Sequence, residues 1–293
     1  MQGAPGARAR MGAPGTGFKA GAIARACPPP QMLARMLIDS HCHLNFPGLV
    51  EDEAGVLARA RAEGVGAFIN ISTRRAEWDA VVAAAERHSD VWASIGIHPH
   101  EADGHPDLSA EDLVRRSAHP RVVGIGETGL DFFYDRSGRM RQEESFRTHC
   151  AAARATGLPL IVHSRAAEEE TVRILEEELG RGAFPVLFHC FTGSAWLAER
   201  ALGLGAFLSF SGIVTFRNAS ALQSVARAVP ADRLLVETDA PFLAPVPVRG
   251  RTCEPAFVAH TLRFLASLRS EAESDVAAMT SRNTLRLFSK MAG

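Results

Sequence analysis

From residue 36 onward, short apolar, β-branched runs alternate with longer stretches whose apolar residues recur at helical spacing. The runs are MLIDS (36–40), GAFINIS (66–72), VWASIGI (91–97), VVGIGE (122–127), PLIVHS (159–164), PVLFHC (185–190), AFLSFSG (206–212) and LLVETD (234–239). Each is continuous rather than alternating, the pattern of parallel strands covered on both faces. Between them, EAGVLARARAEG (53–64), AEWDAVVAAAERH (76–88) and EESFRTHCAAARATG (143–157) carry helical periodicity, and Gly64 and Gly157 act as stop signals. Residues 254–292 read as further helix. Eight strands with intervening helices predict an α/β fold, a (β/α)8 TIM barrel, as one domain over residues 36–293. An open dinucleotide-binding sheet fits poorly: no Gly-x-Gly-x-x-Gly follows the first run, and GIGETGL leads into an acidic, aromatic loop.

Residues 1–35 break the rhythm. They are rich in Gly, Ala, Pro and Arg, with no acidic residue before Asp39 and no sustained apolar segment of a secretory signal. The segment is expected to be disordered or a mis-assigned upstream extension, with Met32 and Met36 as alternative starts.

Composition narrows the class. With 46% hydrophobic and 22% charged residues the chain is of globular type, and its net charge of −1 leaves any nucleic-acid affinity to a local basic patch. No apolar run approaches the roughly 18–20 residues of a membrane helix, so no membrane association is expected. Cys27, Cys42, Cys150, Cys190 and Cys253 are scattered and contain no Cys-x-x-Cys. This argues against a disulfide framework and fits a reducing, cytoplasmic setting.

The polar residues then fall where a barrel would use them. The first run ends in Asp39, His41 and His43, the third in His98 and the fourth in Glu127. The fifth gives His163 and Arg165, the sixth His189, and the eighth Glu237 and Asp239. In a strand His41 and His43 share a face while Cys42 points away; Cys42 and Cys190 accordingly read as small core residues. Strand ends at the C-terminal face of a barrel form its active-site mouth. Four imidazoles and two carboxylates exceed what one catalytic ion needs and suit two divalent cations with Glu127 as the bridge. Such a pair acidifies water and clamps phosphate oxygens, and Asp239 is placed to take the proton of the attacking water. Imidazoles favour zinc or manganese, whereas phosphodiester hydrolysis often uses magnesium.

IDSHCHL (38–44), GIHPH (96–100), GIGETGLDF (124–132), LPLIVHSR (158–165), FHCFTGS (188–194), LLVETDAPFLAPVPVRG (234–250) and RNTLRLF (282–288) together resemble the TatD-like metal-dependent deoxyribonucleases of the amidohydrolase superfamily. The resemblance implies a metal-dependent hydrolase barrel and two divalent cations. One cation would take His41, His43, Glu127 and Asp239, and the other Glu127, His163 and His189. It further implies that His98 and Arg165 face substrate phosphate. The chain departs from the family at RGRTCEP, where Thr252 and Cys253 replace a basic residue and an Asn. Catalysis is assigned to Glu127 and Asp239, and substrate binding to His98, Arg165 and Arg249. Arg74, Arg75, Arg136, Arg139, Arg141, Arg217, Arg249 and Arg251 are expected in loops, where they would form a basic rim. Phe132, Phe133 and Tyr134 could stack on bases, and Asp39 either orients a ligand imidazole or ends a strand.

The leading expectation is a 3′→5′ exonuclease on single-stranded DNA with no stable protein partner. The alternative is a metal-dependent amidohydrolase or esterase, such as an aminoacyl-tRNA deacylase, which a narrow apolar pocket would favour. A third reading, a binding module without catalysis, is disfavoured because no expected ligand is missing.

Overall fold

A computed structural model describes Met1 and residues 28–33, 36–134 and 136–292. Eight strands run in parallel in the order β1 to β8. They are β1 (Leu37–Cys42), β2 (Val65–Ile71), β3 (Val91–Ile95), β4 (Val122–Asp131), β5 (Leu160–Arg165), β6 (Val186–Phe188), β7 (Phe207–Phe210) and β8 (Leu234–Val236). Helix α1 (Pro30–Leu33) precedes β1. Helices α2 (Glu53–Ala62), α3 (Trp78–Arg87), α4 (Ala110–Ser117), α5 (Arg139–Thr156), α6 (Glu168–Gly180), α7 (Ala195–Gly203) and α8 (Ser220–Ala228) connect successive strands. The further helix expected over 254–292 is present as α9 (Val258–Arg269) and α10 (Glu273–Leu287), parted at Ser270 with φ 58°. The barrel closes just beyond β8, where Cys42 bridges Ala240 and Asp239 N–H donates to His41 O at 2.9 Å. The predicted (β/α)8 barrel is the observed fold.

Two apolar layers hold it. Ile38, Ile69, Trp92, Val123, Ile161, Leu187, Phe207 and Leu235 fill the interior, closed at one end by Phe288 and Leu33. A larger layer seals strands against helices. The expectation of disorder over residues 1–35 lies mostly outside the described residues, although Pro30–Leu33 forms a helical turn with Leu33 buried in that interior cluster. Two residues beyond Ile161, Leu187 and Leu235, on the same inward face, come His163, His189 and Glu237. The interior therefore turns from apolar to ionisable toward the C-terminal ends of the strands.

His149, buried on α5, ties that helix to the loop after β3. Its Nε2 accepts the Ile97 N–H at 2.9 Å, and its Nδ1 lies 2.7 Å from Ser145 O. Burial pushes its imidazole down from 6.5 to about 4. The folded protein thus refuses a proton that the unfolded chain accepts. The stabilisation is complete above pH 6.5 and is lost as pH falls toward 4. At about 1.4 kcal/mol per pH unit the loss is on the order of 3 kcal/mol. Denaturant titrations at neutral and mildly acidic pH should show it, with a smaller drop in His149→Gln.

Candidate metal centre

Two irregularities aim the first ligands. The β1–β2 register shifts between Asp39 and Cys42, and the β4–β5 register shifts between Ile125 and Thr128. Such bulges redirect side chains, and here they bring His41 and Glu127 to the same place. Glu127 is therefore in mid-β4, not at a strand end as its run suggested. His163 lies within β5. His98, His189 and Asp239 lie past the ends of β3, β6 and β8, in strands shorter than their apolar runs. Asp39 touches no ligand imidazole. Its carboxylate accepts from Thr238 N, Thr238 Oγ1 and His41 N at 2.9, 2.6 and 3.3 Å, pinning the segment that carries Asp239 to β1.

Glu127 stands at the centre, and its two oxygens divide the imidazoles. Oε2 lies 3.5 Å from His41 Nε2 and 3.9 Å from His43 Nε2. Oε1 lies 2.7 Å from His189 Nε2, 3.1 Å from His163 Nδ1 and 3.4 Å from His98 Nε2. Asp239 Oδ1 completes the first half, 3.3 Å from His43 Nε2 and 3.6 Å from His41 Nε2. Three sets have all ligand atoms within 4.8 Å of one another: His41–Glu127–His189, His41–His43–Asp239 and His98–Glu127–His163. All six expected ligands converge. His98, expected against phosphate, stands among them.

The donor chemistry fits cations better than protons. His41 and His43 turn their Nε2 atoms toward each other at 3.3 Å, and both face the same carboxylates. Among the described residues, both ring nitrogens of His189 and the Nδ1 of His41 lack an aligned hydrogen-bonding partner, although all are buried and His189 Nδ1 lies 3.4 Å from Glu237 Oε1. The 2.7 Å approach of His189 to Glu127 is close without being aligned as a hydrogen bond. Buried polar atoms left this way are rare unless something else satisfies them, and convergent imidazoles around a carboxylate suit divalent cations.

The electrostatics are those of a cluster that draws positive charge: against burial, Asp239 raises the His43 imidazole, Asp131 and Glu127 raise that of His163, and Glu127 raises that of His189 well up. Burial works against an ionised Glu127, but His189, His98 and His163 outweigh it and hold the carboxyl well below its usual range. Asp239 is likewise held low, the hydrogen bond from His43 overcoming burial. Burial pushes His98 well down, so this ring is neutral, a state fit for ligation. The centre keeps both carboxylates charged.

One neighbour, Asp131, escaped the sequence reading, in which Glu237 figures only as a strand-end carboxylate. Asp131 Oδ2 lies 3.2 Å from His163 Nε2 and 2.9 Å from His100 Nε2. Glu237 accepts from the Cys190 N–H at 2.7 Å. Cys42 is a buried core residue as expected, but Cys190, with φ 41°, lines the cavity beside Ser211. The cavity, about 610 Å³, opens above the ligands between His43, Arg74, Tyr134, Arg165 and Phe242. Arg165, expected against substrate phosphate, lines this cavity. Arg249 is exposed and stacks 4.0 Å over Phe216, and it is not among the residues lining the cavity. Arg139 and Arg141 are in the first turn of α5, not in a loop. Arg75 is tied to Asp107. Cys253 is buried, and its N–H donates to Pro241 O.

The glycines of GETGLD have a steric cause. A Cβ on Gly129, at φ +133°, would sit 2.0 Å from His163 O. Gly129→Ala is expected to destabilise the barrel by about 3 kcal/mol or more and to dislodge His163, since backbone strain and overlap add. Thermal unfolding of the variant checks this.

Fold and ligand set together define a barrel hydrolase of the metal-dependent class. The model of the TatD-related DNases matches residues 38–289, and the chain belongs to that family. It is 40% identical to the metal-dependent hydrolase YabD of Bacillus subtilis, over 86% of this chain and 99% of that one. It is 35% identical to the 3′-5′ ssDNA/RNA exonuclease TatD of Erwinia tasmaniensis, over 86% and 99%. The crystal structure of YJJV, a TatD homolog from Escherichia coli K12, superposes with a TM-score of 0.81 at 33% identity, covering 88% of this chain and 99% of that one.

Proposed function

We propose that the protein hydrolyses phosphodiester bonds of single-stranded DNA from the 3′ end at a two-cation centre. His41, His43 and Asp239 would hold one cation, His163 and His189 the other, with Glu127 between them. Bound there, the cations supply Lewis acidity, acidifying water and offsetting charge on phosphate oxygens. The chain's own residues do the rest. Asp239 Oδ1 faces His41 and His43, and Oδ2, with no protein partner among the described residues, accepts the proton of the attacking water. Arg165 and Arg74 on the rim orient the phosphodiester.

The observation that carries this reading is the rim. Arg136 and Arg165 line the cavity without a carboxylate partner among the described residues, in a chain of net charge −1. They are interleaved with exposed aromatics: Phe133, Tyr134 and Phe242 are 60%, 40% and 51% accessible. Arg165 lies 4.3 Å over Phe133 and 4.7 Å over Tyr134. Unpaired guanidiniums beside open aromatic faces suit a strand whose phosphates and bases must both be held. They suit the narrow apolar pocket of an amidohydrolase poorly. The single-stranded activity named for the Erwinia relative supports the same choice.

Arg136→Ala combined with Arg165→Ala is expected to raise KM about tenfold or more with kcat nearly unchanged, and to flatten the salt dependence of binding. Steady-state cleavage of an oligonucleotide across ionic strengths measures both. An unchanged KM together with an unchanged salt slope contradicts the rim's role.

A further inference from the structure

His163 presents two nitrogens to two carboxylates. Its Nδ1 lies 3.1 Å from Glu127 Oε1 within the cation-ligand cluster, and its Nε2 lies 3.2 Å from Asp131 Oδ2. A neutral imidazole carries one N–H, and which nitrogen has it is set by the partner of the other. Asp131 is 1% accessible and its Oδ1 is already engaged, accepting the N–H groups of Phe133 and Tyr134 at 3.0 Å each. Among the described residues, its Oδ2 faces only the imidazoles of His163 and His100, at 3.2 and 2.9 Å. The backbone beneath it is clamped: Gln142 Oε1 accepts Asp131 N–H at 2.8 Å, and Gln142 Nε2 donates to Asp131 O at 3.1 Å. The carboxylate therefore cannot swing away from the ring.

We propose that Asp131 is a positioning residue that locks His163 with its proton on Nε2, so that the Nδ1 lone pair faces Glu127 and one cation position of the centre. The partner of a ligand imidazole commonly fixes its tautomer and orientation in this way. The inference rests on reading the cluster as a cation centre, and it concerns one half only. Asp131 reaches the His163 side and makes no contact with His41, His43 or Asp239. Through Phe133 and Tyr134 the same carboxylate also fixes the turn that presents the aromatic rim.

Asp131→Asn isolates the effect. The amide oxygen can still accept from Phe133 and Tyr134, which leaves an NH2 donor facing His163 Nε2. The ring then moves its proton to Nδ1, directly at the place a cation would take. Turning the amide over instead sets its NH2 against two backbone N–H groups.

Ring-nitrogen NMR of His163 in the full chain, treated with chelator under mildly alkaline conditions, reads the tautomer without metal or activity. The wild type is expected to show Nε2–H and the variant Nδ1–H. A wild-type ring protonated on Nδ1 overturns the inference, whether or not the variant folds. Competition of zinc against a chromophoric chelator supplies the second arm. The wild type is expected to take two ions, and Asp131→Asn to weaken one of them about 10- to 100-fold while the other stays within about twofold. Two unchanged affinities, or two equally weakened ones in a natively folded variant, contradict it. A folded wild type that takes no zinc overturns instead the reading of the centre, which the tautomer measurement does not depend on.

Discussion

Glu127→Gln is expected to lower kcat/KM by on the order of 10³-fold or more while leaving the barrel folded. Gln has nearly the same volume and keeps one oxygen, so the packing of β4 against β5 is retained. What goes is the charge and the symmetry of the carboxylate. Oε2 serves His41 and His43, Oε1 serves His163, His189 and His98, and an amide can present an oxygen to only one side. The other side then meets an NH2 donor in a cluster of buried imidazoles. If Glu127 bridges two cations as proposed, its loss would forfeit several kcal/mol of charge stabilisation in the transition state, and about 4 kcal/mol corresponds to the stated factor. Steady-state kinetics alongside metal content by mass spectrometry checks it. Wild-type turnover with two bound ions contradicts the bridging role.

Asp239→Asn should be nearly as damaging to turnover but mild for stability, because of the backbone it sits on. Asp239 has φ 58°, in the left-handed region that Asp and Asn tolerate better than other side chains. Asn keeps that conformation, and the links from Asp239 N to His41 O and from His43 N to Ala240 O are main-chain bonds that survive. The carboxylate that would take the proton of the attacking water is lost, and a misplaced or missing general base costs about 10²- to 10⁴-fold. The fall is expected in kcat with KM little changed, because the rim arginines are untouched. Asp239→Gly makes a second check. It relaxes the left-handed backbone and deletes the ligand, so it should unfold no earlier than wild type yet be inactive. An Asp239→Asn enzyme with wild-type kcat contradicts the assignment.

Much of this was readable from the chain, and the parts that were not share a physical cause. Parallel strands buried on both faces announce themselves as continuous apolar runs, so all eight strands and the barrel were legible. Their lengths were not. The runs PVLFHC and LLVETD overstate β6 and β8, which end at Phe188 and Val236, before His189 and Asp239. VVGIGE understates β4, because the bulge around Glu127 lets the strand continue through two glycines to Asp131. The imidazoles and carboxylates of the centre were found because each follows an apolar run. Asp131 was passed over because its partners, His100 and His163, are 31 and 32 residues away and only the barrel brings them together. His98 was assigned to phosphate from its motif, whereas the closeness of its Nε2 to Glu127 Oε1 depends on how the segment after β3 folds. Of the expected basic rim, Arg74 and Arg136 line the cavity, while α5 begins early enough to carry Arg139 and Arg141 away in its first turn.

The central claim is a cation-dependent attack on a phosphodiester. It is tested most directly by incubating 5′-end-labelled single-stranded DNA with wild type, Glu127→Gln and Asp239→Asn in Mg²⁺, Mn²⁺, Zn²⁺ or chelator. Progressive shortening from the 3′ end by the wild type, absent in chelator and in both variants, is the predicted result. Intact DNA in the presence of a folded, metal-loaded wild type would contradict the account and turn the same centre toward ester and amide substrates.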